Sequence, residues 1–182
     1  PLREIALHIL DIAANSISAG AKNISVRITA SSKDDTLDVS ISDDGKGMTP
    51  EMIRMVTDPF TTSRTERNVG LGIPLLKAAA EACRGWFRID SKPGKGTEVQ
   101  ARFQLSHIDR MPLGDLPDTF LGLLIGTPHV HWTFQVKKDE LVFDFDDTEL
   151  KNELGADCLS EPEVIRYIRM LFSEGIEPIA IN

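Results

Sequence analysis

Between residues 43 and 97 the chain is interrupted three times by glycine-bearing polar segments, each of them at the edge of a regular element. The segments are Asp43-Asp44-Gly45-Lys46-Gly47-Met48, Gly70-Leu71-Gly72 and Gly94-Lys95-Gly96-Thr97. Ahead of them lies a helical stretch bearing Asp11 and Asn15, four residues apart and therefore on one face. Singly, each has an ordinary reading. Asp and Gly dominate turns for backbone reasons, and a lone Asn on an amphipathic helix usually meets solvent. In this order, with whole elements between them, they specify a site built from strand ends and helix starts.

The hydrophobic rhythm supplies those elements. Leu2, Ile5, Ile9, Ile12, Ala13 and Ile17 recur at helical spacing up to Gly20. Alternation in Ile24–Ala30 and in Leu37–Ser42, around the polar turn Ser31–Thr36, predicts two strands. Thr49 and Pro50 open a short helix through Val56. Thr57–Val69 shows no period. A helix is expected from Leu71 to Arg84, closed at Gly85, and then a strand pair, Trp86–Asp90 and Glu98–Leu105, around Lys92–Gly96.

Beyond His107 the texture changes. Residues 1–106 carry 14 Lys and Arg against 13 Asp and Glu, a net of +1; residues 107–182 carry 6 against 15, a net of −9. The acidity of the chain is thus confined to its C-terminal part, which argues against nucleic-acid binding there. Met111–Gly114 reads as a linker, Leu116–Ile125 as a helix, and Val130–Val136 with Glu140–Phe145 as a hairpin. Ser160-Glu161-Pro162-Glu163 has the form of a capping box opening a helix that ends near Gly175. Two domains are therefore expected, 1–106 and an acidic α+β extension, 107–182, suited to contact with a partner. Trp132, Phe134, Phe143 and Phe145 are expected to form the extension's own core, and Asp144, Asp146, Asp147 and Glu149 a solvated acidic face.

Leu10–Ala21 (LDIAANSISAGA) resembles the N box of the GHKL ATPases, the group that includes sensor histidine kinases, gyrase, MutL and Hsp90. DDGKGM resembles their G1 box. DPFTTSR, followed by GLGIPLLKAAAEACRGWFRIDSKPGKGTEVQARF, is similar to the F and G2 boxes and closing strands of sensor histidine kinase catalytic domains. The likeness covers about residues 5–105. It implies an α/β fold, a two-layer sandwich of the Bergerat, histidine kinase-like type, and ATP with Mg²⁺ as ligands. Asp43 would accept from the adenine amino group, helped by Thr97 and a water. Gly45 and Gly47 would let the backbone approach the base, with Met48 as an apolar wall and Asn15 as the Mg²⁺ ligand. Gly70, Leu71 and Gly72 would present N–H groups to the phosphates at a helix N-terminus. Arg64 or Lys77 would balance the γ-phosphate, and Phe60 would anchor a short lid.

Asp11 stands where gyrase- and MutL-like ATPases and anti-sigma serine kinases carry a general-base Glu. A carboxylate there suits a water or hydroxyl nucleophile, whereas a histidine nitrogen already has its lone pair. Asp is one methylene shorter than Glu, so ordering Mg²⁺ or its waters is the alternative role. His8, on the same helix and followed by Ile9 rather than an acid, reads as a packing or site-rim residue, so a phosphoacceptor would lie on another protein or a removed segment, or be absent. The resemblance thus implies a cytoplasmic signalling protein acting on a separate protein: a response regulator, a sigma-type factor or another phosphoacceptor. An ATP-hydrolysing switch that dimerises on ATP, and a nucleotide-binding regulator without turnover, are the alternatives. Cys83 and Cys158, without a CxxC partner, suggest a reducing compartment. His129 and His131 alternate in the expected hairpin but lack the companion ligands of a metal site, so a surface hairpin is expected there.

Overall fold

The computed structural model describes residues 4–58 and 72–182. Among them, helix α1 (Ile5–Ser18) leads into the antiparallel strands β1 (Asn23–Ser31) and β2 (Thr36–Asp43), then α2 (Pro50–Thr57), α3 (Gly72–Ala82), and the hairpin β3 (Trp86–Lys92) and β4 (Gly96–Gln104). The C-terminal part adds α4 (Leu116–Gly126), β5 (His131–Lys138), β6 (Leu141–Asp146), α5 (Thr148–Leu154) and α6 (Pro162–Ile176).

One mixed sheet runs in the order β3-β4-β2-β1-β5-β6. The period-2 pattern decides which face is covered. Ile24, Val26 and Ile28 of β1, Leu37, Val39 and Ile41 of β2, Val99, Ala101 and Phe103 of β4, and Trp132, Phe134 and Val136 of β5 are all buried, on one side. Against them pack the buried stripes of α1, α3, α4 and α6, completing two layers. The other face is polar: Asp38 takes two hydrogen bonds from the Arg102 guanidinium at 2.7 and 2.8 Å, and Ser42 donates to Glu98 at 2.9 Å. The α/β sandwich expected from the sequence is therefore the fold.

The C-terminal part is sewn into that sheet. β5 lies parallel to β1, with Asn23 opposite His131 and Ala30 opposite Lys138. Its aromatic residues do not form a separate core. Phe120 stacks on Phe134 at 4.3 Å, and Phe172 stands edge-on to Phe120, Phe134, Phe143 and Phe145, within a cluster continuous with Ile24, Val26 and Ile28. α6 ends at Ile176, one residue past Gly175, where a Cβ would lie 2.3 Å from the Phe143 ring. The capping box does not form either. Ser160 belongs to the preceding 3-10 turn, where its hydroxyl donates to the Asp157 carbonyl, and α6 starts at Pro162 without a side-chain cap.

The stretch Met111–Gly114 is more than a tether. The first turn of α1 has no side-chain cap, and its orphan donors are met by that stretch: the N–H groups of Ile5 and Ala6 donate to the carbonyls of Pro112 and Leu113 at 2.9 and 2.8 Å.

Candidate functional site

The buried stripe of α1 runs Ile5, Ile9, Ile12, Ala13 and then Ser16, so a hydroxyl occupies a position where the pattern calls for an apolar residue. Its partner is Asp43 at the end of β2, whose Oδ2 accepts from Ser16 Oγ at 2.6 Å. The other oxygen, Oδ1, accepts from the Gly45 N–H at 2.8 Å. Asp43 is thereby aimed by a helix hydroxyl and by its own loop, and each oxygen retains a lone pair for a further donor. Thr97 is its register partner on β4, and Thr97 Oγ1 lies 2.7 Å from Ser91 Oγ, which also receives the Met48 N–H at 2.8 Å.

The loop after Asp43 is held from three sides. The Lys46 N–H donates to the Ala19 carbonyl at the end of α1, the Asp44 N–H to the Asn23 carbonyl, and the Gly94 N–H of the β3–β4 turn to the Lys46 carbonyl. The glycines serve this clamping. Gly47 has φ +72, and a Cβ on it would sit 2.0 Å from the Lys92 carbonyl oxygen; a Cβ on Gly45 would sit 2.8 Å from that of Ala19. The space their missing side chains vacate is thus filled by protein. Asp44 faces outward and anchors the start of β1. Its Oδ1 accepts the N–H groups of Lys22 and Asn23, and its Oδ2 accepts from Asn23 Nδ2 at 2.7 Å. Burial alone would raise this carboxyl, but the Asn23 amide and the two backbone donors outweigh it and hold it below its ordinary value.

Toward its start α1 carries the second half of the constellation. Asn15 is half-buried, and no hydrogen bond to its amide is made among the described residues. Asp11, exposed one turn earlier, lies against the beginning of α3: a Cβ on Gly72 would be 2.7 Å from the Cβ of Asp11 and 3.1 Å from its Oδ2. Along one helix, then, Asp11 meets the α3 N-terminus, Asn15 follows one turn on, and Ser16 grips Asp43. From Asp11 to Ser16 the helix rises about 7.5 Å at 1.5 Å per residue.

Lys77 is not brought into this group by any described contact; its ammonium bonds Glu81 at 2.9 Å on the exposed side of α3. Phe60, Arg64, Gly70 and Leu71 lie outside the described residues. Ser16 and Ser91 were missed from the sequence. The first left a signal, a polar residue in an apolar helical stripe. The second is legible only once the β3–β4 register sets Ser91 beside Thr97. His8 is 8% exposed, in keeping with a packing residue. Cys83 and Cys158 are buried, and burial pushes both thiols up.

Residues 1–107 match the family described as histidine kinase-, DNA gyrase B-, and HSP90-like ATPase. The chain belongs to this family. Its relatives include sporulation kinase E of Bacillus subtilis, 34% identical over 96 residues, which make up 53% of this chain and 13% of that protein. Histidine protein kinase DivJ of Caulobacter vibrioides is 29% identical over 98 residues, 52% of this chain and 16% of that protein. The chain thus spans less than a fifth of these kinases. Among solved structures, full-length ShkA in complex with AMPPNP aligns over 53% of this chain and 20% of that one, with 21% identity and a TM-score of 0.43. The N-terminal domain of a DNA repair protein aligns over 79% and 51%, with 12% identity and a TM-score of 0.45. Family membership makes ATP the ligand class of the GHKL pocket. No helix among the described residues is long and apolar enough to cross a membrane.

Proposed function

We propose that the protein binds ATP with Mg²⁺ and passes the γ-phosphate to a side chain of a separate protein, Asp11 acting on the nucleophile. The observation that carries this reading is the contact between Asp11 and Gly72 at the start of α3. A helix N-terminus attracts phosphate, and a carboxylate beside it repels phosphate unless a cation lies between them. Asn15, one turn from Asp11, offers the neutral oxygen that a hard cation accepts alongside phosphate oxygens and waters. When bound, Mg²⁺ would neutralise charge on the phosphates. Asp43, aimed by Ser16 and Gly45, recognises the adenine amino group through a free lone pair. A carboxylate within reach of the transferring phosphate favours a hydroxyl acceptor, whose proton it takes, over an imidazole acceptor. The same placement serves an attacking water, so hydrolysis coupled to a conformational switch is the second reading, favoured by the same contact. The acidic surface of residues 107–182 suits a basic partner.

Incubation with γ-labelled ATP and host extract tests these readings. Label on a co-purifying protein supports transfer, released phosphate in purified protein supports hydrolysis, and neither, with ATP still bound, leaves a regulator without turnover and overturns the proposal. Asp11→Asn is expected to retain ATP and lose turnover about a hundredfold; undiminished turnover removes Asp11 from the chemistry. Asp43→Asn is expected to weaken ATP at least about tenfold, since an amide can turn a donor toward the adenine amino group. Unchanged affinity removes Asp43 from base recognition.

A further inference from the structure

His131 opens β5, Asp146 closes β6 and Asp147 precedes α5, so the sheet edge and the helix start bring an imidazole and two carboxylates together. The tautomer of His131 is set from behind. Asn23 spends its amide N–H on Asp44, so Asn23 Oδ1 is an acceptor and takes a hydrogen bond from His131 Nδ1 at 2.8 Å. The other ring nitrogen, Nε2, then faces Asp146 Oδ1 at 2.9 Å, Asp147 Oδ1 at 3.6 Å and Thr148 Oγ1 at 3.2 Å. One atom of each of His131, Asp146 and Asp147 lies within 4.8 Å of the others.

Asp147 shows that this is more than a patch of surface charge. It is 1% exposed, against the solvated face expected from the sequence. Its Oδ2 accepts from Lys151 Nζ at 2.6 Å and from the Trp132 N–H at 3.1 Å, while the buried Oδ1, on the His131 side, has no hydrogen-bond partner. A buried carboxylate oxygen without a donor is costly, and such atoms in native proteins call for an explanation such as a bound ion.

We propose that His131 Nε2, Asp146 and Asp147 Oδ1 bind a divalent transition-metal cation of the zinc type, with a fourth position beside the Thr148 hydroxyl. Ligands about 2.0–2.2 Å from a tetrahedral ion stand about 3.3–3.6 Å apart. Asp147 Oδ1 at 3.6 Å and Thr148 Oγ1 at 3.2 Å from Nε2 are close to this, and Asp146 Oδ1, now at hydrogen-bond distance of 2.9 Å, would move out by a few tenths of an ångström to admit the ion. An acceptor behind the ligating ring is the usual outer-shell arrangement of a metal-bound histidine. The imidazole favours Zn²⁺ over Mg²⁺ or Ca²⁺, which prefer all-oxygen sites. Two carboxylates and the Lys151 ammonium sum to one negative charge, which a divalent cation overcomes. This site stands apart from the Mg²⁺ proposed at Asn15 and does not depend on it.

The test is Zn²⁺ titration of the full chain, stripped with chelator and free of nucleotide, read by calorimetry and by thermal melting. One equivalent is expected to bind at micromolar Kd or tighter and to raise the melting temperature, with millimolar Mg²⁺ unable to displace it. His131→Ala should abolish that uptake, and Asp146→Asn, at a residue whose side chain is 56% exposed and tolerant of change, should weaken it at least tenfold. If His131→Ala fails to fold, Asp146→Asn decides. The absence of stoichiometric uptake by the unaltered chain, as a protonated His131 paired with its acids would give, overturns the proposal. So does equal uptake by the variants, which would place the metal elsewhere.

Discussion

The two parts of this chain use one sheet in opposite ways. In residues 4–58 and 72–107, strand ends and helix termini hold polar groups at the rim: Ser16, Asp43, Ser91 and Thr97 on one side, Asp11 and Asn15 on the other. In residues 107–182 aromatic side chains fill the interior, with Phe172 at the centre of a set of edge-on rings. The first part sets its polar rim beside an aliphatic core, and the second adds an aromatic one continuous with it. Because β1 pairs with β2 on one side and β5 on the other, neither part closes its own sheet edge. The lesson is that a family match can end at residue 107 while the sheet it belongs to runs on past it.

That comparison can be broken most decisively at Phe134. Truncating this side chain, 2% exposed and stacked on Phe120 and Trp132, should cost about 3–5 kcal/mol. If the two parts are one cooperative unit, amide exchange in β4 and β5 should accelerate together in Phe134→Ala. Acceleration confined to β5 would show two units with separate stabilities. A smaller effect sharpens the view of the rim. Gly47→Ala, which combines a left-handed backbone with a collision against the Lys92 carbonyl, should cost about 1–3 kcal/mol. ATP affinity should fall with it while the β5–β6 amides keep their protection; a variant as stable as the parent would mean that the loop is not clamped as described.

The smallest effect concerns Asp44. Its folded-state pKa is depressed below 3.8, so its contribution to stability is fully present above that value and is lost as pH falls through the folded pKa. In acid titrations the chain should therefore melt earlier below about pH 4 than Asn23→Ala, scaled to its own neutral-pH stability, since that variant has already lost the amide donor. Parallel pH profiles for the two would remove Asn23 as the cause.

Much of this was legible in the residues. Short-range periods located both early strands, the β3–β4 hairpin and β5–β6 to within a residue or two, and the C-terminal end of α1 likewise, because each records burial on one face. Asp11, Asn15 and Asp43 stand out through their motif order, and the fold sets them on α1 and the end of β2 beside it. What the sequence could not show depends on distant pairings. The parallel match of β1 with β5 joins segments about a hundred residues apart, and no local pattern encodes it. Asp147 reads as one more charge in an acidic run, and only the fold shows it buried against the Trp132 N–H and the Lys151 ammonium. His131 looks solitary for the same reason, since Asn23 reaches it across that long-range pairing. Gly45 and Gly47 stand out in the sequence as special, but that Ala19 and the Lys92 carbonyl lie against them is visible only in the fold.

The peptide carbonyls of residues 112 and 113 have one more effect. The helix whose side chains would meet both the phosphates and their cation cannot unravel at its beginning without first letting go of the strand-bound segment that follows residue 107. Drawing residues 112–113 away would leave two backbone donors bare and loosen the first turn of the rod on which Asp11 rides.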